Sequence, residues 1–384
     1  SREQRQRTLS LLERGQLRLL YLSPESLLST VLWERLRSVA PQVNRLVVDE
    51  AHCITQWGSS FRPVYRRLGA ARMALAQGRA PTTPALAIAA FTATADAKTQ
   101  QDIQQALDLH QPRVFRSSPY RRNLSVGVTR VYTVAARRDR LLSFIRAQSN
   151  NSGLVYTRSR RDSEALALWL TQQGFTTAAY HAGLSAQERR QIEQRWLSGQ
   201  LRFTICTSAF GMGVDKSDVG WVCHFHPPLT LAEYLQEIGR AGRNGQSAQA
   251  LLIASEATGL LDPTDKQRTA GFMRQMQQQH QLAQRLVRSL PREGKLQDVL
   301  QQEPQAELAL ALLHRQGALV WLDPFCYRLT TQHPLSAPVN AASALEDYLA
   351  TRGCRWHFLL AAFGFGREAQ GLRCGHCDRC LKKS

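Results

Sequence analysis

Arg45–Tyr65 reads RLVVDEAHCITQWGSSFRPVY, and the placement of charge within it decides how the rest of the chain is read. Leu46, Val47 and Val48 make a short apolar run of the kind a buried parallel strand shows, and it stops at two adjacent carboxylates, Asp49 and Glu50. Burying a carboxylate is costly without a partner, so a doublet at the carboxyl end of a strand points to a cation held there. A magnesium ion (Mg2+) with a bound nucleotide such as ATP meets that demand. Asp49 would hold the ion through its water shell, and Glu50 would orient and deprotonate the water attacking the γ-phosphate. The alternative on these residues alone is an acidic strand-to-helix turn in which one carboxylate caps a helix.

At 384 residues the chain has room for two or three domains, and 43% hydrophobic with 21% charged residues is a globular composition. The 49 Lys and Arg against 30 Asp and Glu leave a net charge of +19, which suits a polyanionic partner and steeply salt-dependent binding. No basic amphipathic helix or lipidation signal stands out, so nucleic acid is favoured over a membrane surface. No apolar run approaches the ~18 residues of a membrane span, and the opening SREQRQRTLS lacks the apolar core of a signal peptide. A cytosolic protein is expected, nucleoid-associated if bacterial, with its true start upstream of Ser1. Cys53, Cys206, Cys223 and Cys326 are scattered, whereas Cys354, Cys374, Cys377 and Cys380 cluster at the carboxyl end. In a reducing compartment that clustering favours a metal over disulfides.

Further strands are expected at Leu17–Ser23, Leu86–Thr92, Gly153–Thr157, Thr177–Tyr180, Phe203–Thr207 and Trp221–His224. Helices are expected from Pro24, over Asp96–Leu107, Arg160–Gln173 and Arg189–Leu197. Strands alternating with helices give a parallel α/β sheet. Beyond about Glu256 the chain becomes Gln-, Arg- and Leu-rich. Between Lys295 and Thr331 a helix, a second helix and a hairpin follow one another, as in a winged helix whose second helix or wing contacts duplex DNA; a purely structural insert is the rival reading.

Asp49-Glu50-Ala51-His52, followed by Gln56-Trp57-Gly58 and Phe61-Arg62-Pro63, resembles the Walker B motif and aromatic-rich loop of the RecQ family of ATP-dependent DNA helicases. The resemblance implies that Trp57, Phe61 and Arg62 meet single-stranded DNA and that His52 couples DNA to ATP hydrolysis. An aromatic face stacks on any base and an arginine holds a phosphate, so the assignment is physically sensible; the alternative is that the aromatics anchor a long loop. Ser23-Pro24-Glu25 and Thr92-Ala93-Thr94-Ala95 resemble further helicase motifs. The second implies that the hydroxyls of Thr92 and Thr94 link the nucleotide site to the DNA track.

The run Phe210–Lys216, FGMGVDK, resembles helicase motif V. The resemblance implies that Gly213 lets the backbone approach a ligand, that Asp215 accepts from the nucleotide ribose and that Thr207 bonds a DNA phosphate; the alternative is a glycine-rich connection with a capping Asp. Tyr234–Gly245, YLQEIGRAGRNG, resembles motif VI with the pattern typical of RecQ. Read as helix, it puts Arg240 and Arg243 on one face. The resemblance implies Arg243 as the arginine finger, with Arg240 contacting phosphate and Gln236 in support. The Cys-x-x-Cys spacing of Cys374 and Cys377, with Cys354 and Cys380, completes a tetrahedral site for structural Zn2+, with His376 as a competing ligand; the arrangement resembles the helical zinc module of RecQ helicases.

The expected architecture is α/β: a first RecA-like lobe, incomplete, over residues 1–115, a second over 116–255, a helical segment with the winged-helix insert over 256–345, and the zinc module over 346–384. G-x-x-x-x-G-K-[ST], the loop that holds nucleotide phosphates, occurs nowhere in the sequence. The resemblance implies a 3′-to-5′ DNA helicase of recombination and repair, acting on single strands and duplex junctions and here inactive alone for want of that loop. A non-catalytic nucleic-acid-binding protein and an RNA helicase of the same superfamily are the rivals.

Overall fold

The first apolar run pairs as β1 (Arg45–Val48) with a second, β2 (Ala87–Ala90). The pairing is parallel, in register from Arg45 with Ala87 to Val48 with Ala90, so both strands deliver their following residues to the same edge. The computed structural model describes residues 2–55, 62–77, 79, 85–148, 151–210, 215–330 and 343–381. Two compact units divide the chain, residues 1–114 with 274–339 and residues 115–273 with 340–384. The segment expected at 256–345 is therefore shared between them.

In the first unit, helices Thr30–Ser38, Leu68–Ala76 and Ala97–Ala106 pack with the strands around Leu32, Trp33, Leu36, Val48, Ile54, Leu68 and Ile103. Asp96 starts the last helix, its carboxylate accepting from Thr99 N–H at 2.7 Å. Ser23 does the same for the short helix Pro24–Leu27. Leu17–Ser23, expected as a strand, is irregular. A strand persists only where its backbone groups find a ladder; this segment pairs with none of the described strands and leaves Leu19 and Tyr21 exposed.

The second unit is built on a six-stranded parallel sheet, β3 (Leu124–Val131), β4 (Ser152–Tyr156), β5 (Thr177–Tyr180), β6 (Phe203–Cys206), β7 (Val219–His224) and β8 (Ala248–Ser255), in the spatial order β3-β8-β7-β4-β6-β5. Helices Val134–Ala147 and Arg160–Gln172 contribute Leu141, Phe144, Leu166 and Leu170 to the core on one face. On the other, Trp196, Tyr234 and Ile238 pack together with Trp356, Leu359 and Cys377 of the carboxyl-terminal module. Trp356 Nε1 donates to the Leu124 carbonyl at 3.0 Å, fastening that module to the edge strand β3. Both faces of the parallel sheet are thus covered, as its near-continuous apolar strands require. Among the described residues no helix is long and apolar enough to cross a membrane.

The helix–helix–hairpin segment forms where the sequence places it: Leu296–Gln302, Ala306–Arg315, then β10 (Leu319–Trp321) and β11 (Cys326–Leu329), preceded by β9 (Glu293–Lys295), which pairs with β11. With the helix Thr264–Ser289 before it, the order is that of a winged helix. Its second helix is turned inward. Ala306, Ala309, Leu310 and Leu313 are buried, Arg67 Nη2 donates to Glu307 Oε1 at 2.7 Å, Arg66 Nε to His314 Nδ1 at 3.3 Å, and Arg315 pairs with Asp102 at 2.9 Å. Of the two readings of this segment, groove-reading helix or structural insert, that packing favours the structural one for the second helix.

Arg67 is 7% exposed, so Glu307→Ala leaves a buried cation unpaired. A loss on the order of 2–3 kcal/mol is expected in chemical denaturation, whereas Arg67→Met with Glu307→Leu should recover most of it, because an apolar pair of similar volume replaces a buried ion pair at little cost.

Candidate nucleotide, DNA and metal sites

The parallel register carries Asp49–His52 and Thr92–Thr94 to the same edge, the carboxyl ends of β1 and β2, where open α/β sheets bind ligands. Two backbone bonds lock the ends together, Phe91 N–H to the Val48 carbonyl at 2.8 Å and Ala51 N–H to the Phe91 carbonyl at 2.9 Å. Asp49 is exposed and accepts from Glu50 N–H at 2.9 Å. Glu50 takes the left-handed conformation, φ 49° and ψ 44°, which costs a residue with a Cβ roughly 1–2 kcal/mol. The strain turns the chain sharply after the strand and aims the carboxylate back at His52, whose Nδ1 lies 3.2 Å from Glu50 Oε2 and 3.0 Å from Thr92 Oγ1. Thr92 Oγ1 also accepts from Thr94 N–H at 3.3 Å, and Thr94 itself is buried. One imidazole therefore joins the acidic doublet to the threonine segment forty residues on.

His52 is 2% exposed. Burial works against its charge, but the Cys53 sulfur and the Glu50 carboxylate beside it outweigh burial and hold its pKa up to about 9. Arg62 makes a two-pronged pair with Glu25, Nε donating to Oε1 at 3.0 Å and Nη2 bonding Oε2. Both side chains are well exposed, and such a pair contributes at most about 1 kcal/mol. Trp57 and Phe61 lie outside the described residues, as does Gly213.

In the second unit, helix Leu231–Ile238 begins at Thr230, whose hydroxyl accepts from Glu233 N–H at 3.2 Å, and it ends before the arginines. Arg240 and Arg243, expected on one helical face, lie instead in the turn that follows. The reason is Gly242, at φ +66°: a Cβ there would come within 2.6 Å of Asn123 Nδ2 and 2.9 Å of Ala248 Cβ, so only glycine fits the turn. Asn123 Nδ2 secures it by donating to the Gly242 carbonyl at 2.8 Å. Arg240 sits beside the Tyr156 hydroxyl. Arg243 Nη1 pairs with Asp215 Oδ1 at 2.5 Å, joining two residues expected at the nucleotide. Gln236 is half-buried on the helix, and half-buried Thr207 donates its N–H to the Tyr180 carbonyl at 3.1 Å.

Beneath the turn lies a cluster that the sequence did not signal. Glu237 Oε2 accepts from Arg158 Nη2 at 2.8 Å and meets His224 Nε2 at 2.7 Å; Arg158 Nη1 is 3.9 Å from Glu233, and all are largely withdrawn from solvent. Burial alone would raise the Glu237 carboxyl, but Arg158 and His224 hold it down to about 2. Burial pushes Glu233 up and His224 down. The only local hint is Glu237 inside an apolar helix face, and its partners come from distant strands.

The four Sγ atoms of Cys354, Cys374, Cys377 and Cys380 lie within 4.8 Å of one another, and none is in a disulfide. Four thiolates about a zinc ion at ~2.3 Å need sulfurs at close to this spacing. Arg355 N–H and Cys374 N–H donate to the sulfurs of Cys377 and Cys354 at 3.4 Å each, bonds that suit thiolate ligands. The donor set fits Zn2+. His376 is not among the clustered donors; its ring stacks on Tyr120 at 6.3 Å.

Because the folded pKa of His52 is raised, its stabilising contribution is complete below about pH 6.5 and is lost as pH rises through about 9. An NMR titration of the His52 ring should show a midpoint near 9 that falls by about one unit or more in Glu50→Gln, since one unit corresponds to a modest ion-pair energy; an unperturbed midpoint in both would refute the Glu50–His52 pair.

Comparison with known proteins accords with this geometry. Residues 1–103 match the DEAD/DEAH box helicase family and residues 136–245 the helicase conserved C-terminal domain. The chain is 44% identical over 385 residues to an ATP-dependent DNA helicase RecQ of Synechocystis sp., covering 99% of this chain and 80% of that protein. It is 37% identical to an ATP-dependent DNA helicase RecQ of Pasteurella multocida, over 63% of this chain and 36% of the relative, and 38% identical to the probable ATP-dependent DNA helicase RecS of Bacillus subtilis, over 66% and 49%. Among solved structures it is similar to Mycobacterium smegmatis helicase Lhr bound to ssDNA and AMP-PNP, with TM-score 0.47 and 23% identity over 76% of this chain and 41% of that one. On the strength of the Synechocystis match, this chain belongs to the RecQ family of ATP-dependent DNA helicases.

Proposed function

We propose that the protein is the motor part of an ATP-dependent DNA helicase that moves 3′ to 5′ along single-stranded DNA and serves recombination and repair. The observation that carries the reading is His52, bonded at once to Glu50 and to Thr92 at the ends of two parallel strands. Mg2+, when bound with ATP, neutralises phosphate charge, and exposed Asp49 is the residue that would hold it. Glu50 orients the attacking water and accepts its proton. A change in the threonine segment on DNA binding alters the bond to His52 and hence the set of the Glu50 carboxylate.

Arg243, released from Asp215, supplies positive charge to the transferring phosphate, and Asp215 is then free to accept from the ribose, where Gly213 allows close approach. Arg240, with Gln236, contacts phosphate. Trp57 and Phe61 stack on bases, Arg62 and Thr207 serve the strand, and buried Thr94 acts only through its backbone bond to Thr92. The +19 net charge supports a DNA partner and predicts strongly salt-dependent binding. Since G-x-x-x-x-G-K-[ST] does not occur in these 384 residues, turnover is proposed for a protein that also carries a phosphate loop.

In such a protein Glu50→Gln should lower DNA-stimulated ATP turnover by about 100-fold or more while nucleotide binding persists. Partial duplexes with a 3′ tail should be unwound and those with a 5′ tail left intact. Wild-type turnover in Glu50→Gln would sink the assignment.

A further inference from the structure

Tyr348 and Tyr234 are both fully buried, and the Tyr348 hydroxyl donates to that of Tyr234 at 3.1 Å. A buried phenol needs a polar partner, and here each supplies the other's. Tyr348 belongs to helix Ser343–Ala350, just before the four-cysteine module, and Tyr234 to the helix that leads into the arginine turn. Following the contacts outward from the pair gives two unbroken chains.

Towards the cysteines, Arg355 Nη1 donates to the Tyr348 carbonyl, and its guanidinium lies 5.1 Å from the Tyr348 ring centre. The same guanidinium grips Asp378 with two bonds, 2.9 and 3.1 Å, and Arg355 N–H donates to Cys377 Sγ. Arg355 is 1% exposed, so its charge depends on Asp378, the neighbour of a metal-ligating cysteine. Towards the arginines, the Tyr234 ring lies 5.2 Å from His224, which stacks on Tyr156 at 5.3 Å. One turn beyond Tyr234, Glu237 binds His224 and Arg158, and Arg240 sits beside Tyr156.

We propose that the four-cysteine site sets the conformation of helix Leu231–Ile238 and of the arginine turn after it, with Arg355 and Tyr348 as positioning residues that act through Tyr234. A zinc ion ties four sulfurs to one centre, and its removal takes away the bonds that hold the cysteines at this spacing. Metal loss therefore spreads the cysteines, carries Asp378 away with Cys377, and leaves Arg355 buried without its carboxylate. Arg355 must then move, and Tyr348, held by it at main chain and ring, moves too. The Tyr348–Tyr234 bond is the step at which the displacement reaches the helix. Any effect on ATP turnover rests on the helicase reading; the coupling does not.

The test is hydrogen–deuterium exchange on the 384-residue protein, zinc-loaded and after removal of zinc by a chelator, with helix Ala97–Ala106 of the first unit as reference. Chelation should speed exchange across 231–245 about tenfold or more while the reference is unchanged, as a local loss of protection requires. Tyr348→Phe, retaining one zinc per chain by metal analysis, should alone speed exchange there roughly fivefold, the effect of one buried hydrogen bond, and should blunt the response to chelation. Arg355→Lys, which keeps the charge but loses the two-pronged grip, should behave similarly. Exchange in 231–245 indifferent to chelation, while 355–381 loosens, would overturn the proposal. Should chelation unfold the whole unit, zinc-loaded Tyr348→Phe with native exchange in 231–245 would overturn it equally. No arm involves ATP, so failure here leaves the proposed activity untouched and the reverse also holds.

Discussion

A buried imidazole needs polar partners, and at His52, whose Nδ1 faces both Glu50 and Thr92, that requirement organises the first unit's candidate site. Its partners, Glu50 and Thr92, are brought together only because β1 and β2 pair in parallel with Val48 beside Ala90. The left-handed turn at Glu50 is tolerated because the strand ends are already pinned by the bonds between Val48, Ala51 and Phe91. Strand register, backbone strain and side-chain charge therefore depend on one another, and a slip of one residue in the pairing would separate the doublet from the threonines.

The second unit meets a similar demand differently. Glu233 and Glu237 are buried one turn apart on a single helix, a costly arrangement that Arg158 and His224 offset from neighbouring strand ends. What emerges above this cluster is a short turn, shaped by Gly242, that presents Arg240 and Arg243 without helical support. Their placement is inherited from the packing below them, in which the aromatic contacts from Tyr156 through Tyr234 to Tyr348 form a continuous part.

Much of this was legible in the residues. The apolar runs at β1, β2, β4, β5, β6 and β7 end in turn or motif residues and formed where expected, as did the helix behind Asp96 and the helix–helix–hairpin segment. The strands β3 and β8 went unread, although the alternation in LSVGVTRV and the apolar run in AQALLIAS are both strand patterns. LRLLYLS had strand composition without a ladder, and composition alone does not supply one. The arginines of the last motif were read at helical spacing, but the close approach of Asn123 and Ala248 to Gly242, which ends that possibility, is a contact between distant segments. Long-range pairs such as Arg67 with Glu307 or Arg355 with Asp378 leave no local trace either.

The most direct measurement of the central claim, that His52 couples Glu50 to the threonine segment, is a double-mutant cycle on His52→Ala and Thr92→Val, read as DNA-stimulated ATP turnover in a protein carrying a phosphate loop. If the bond between them transmits the signal, the double variant should be no worse than the more impaired single variant. Losses that simply multiply would show that the two residues act independently and would contradict the account.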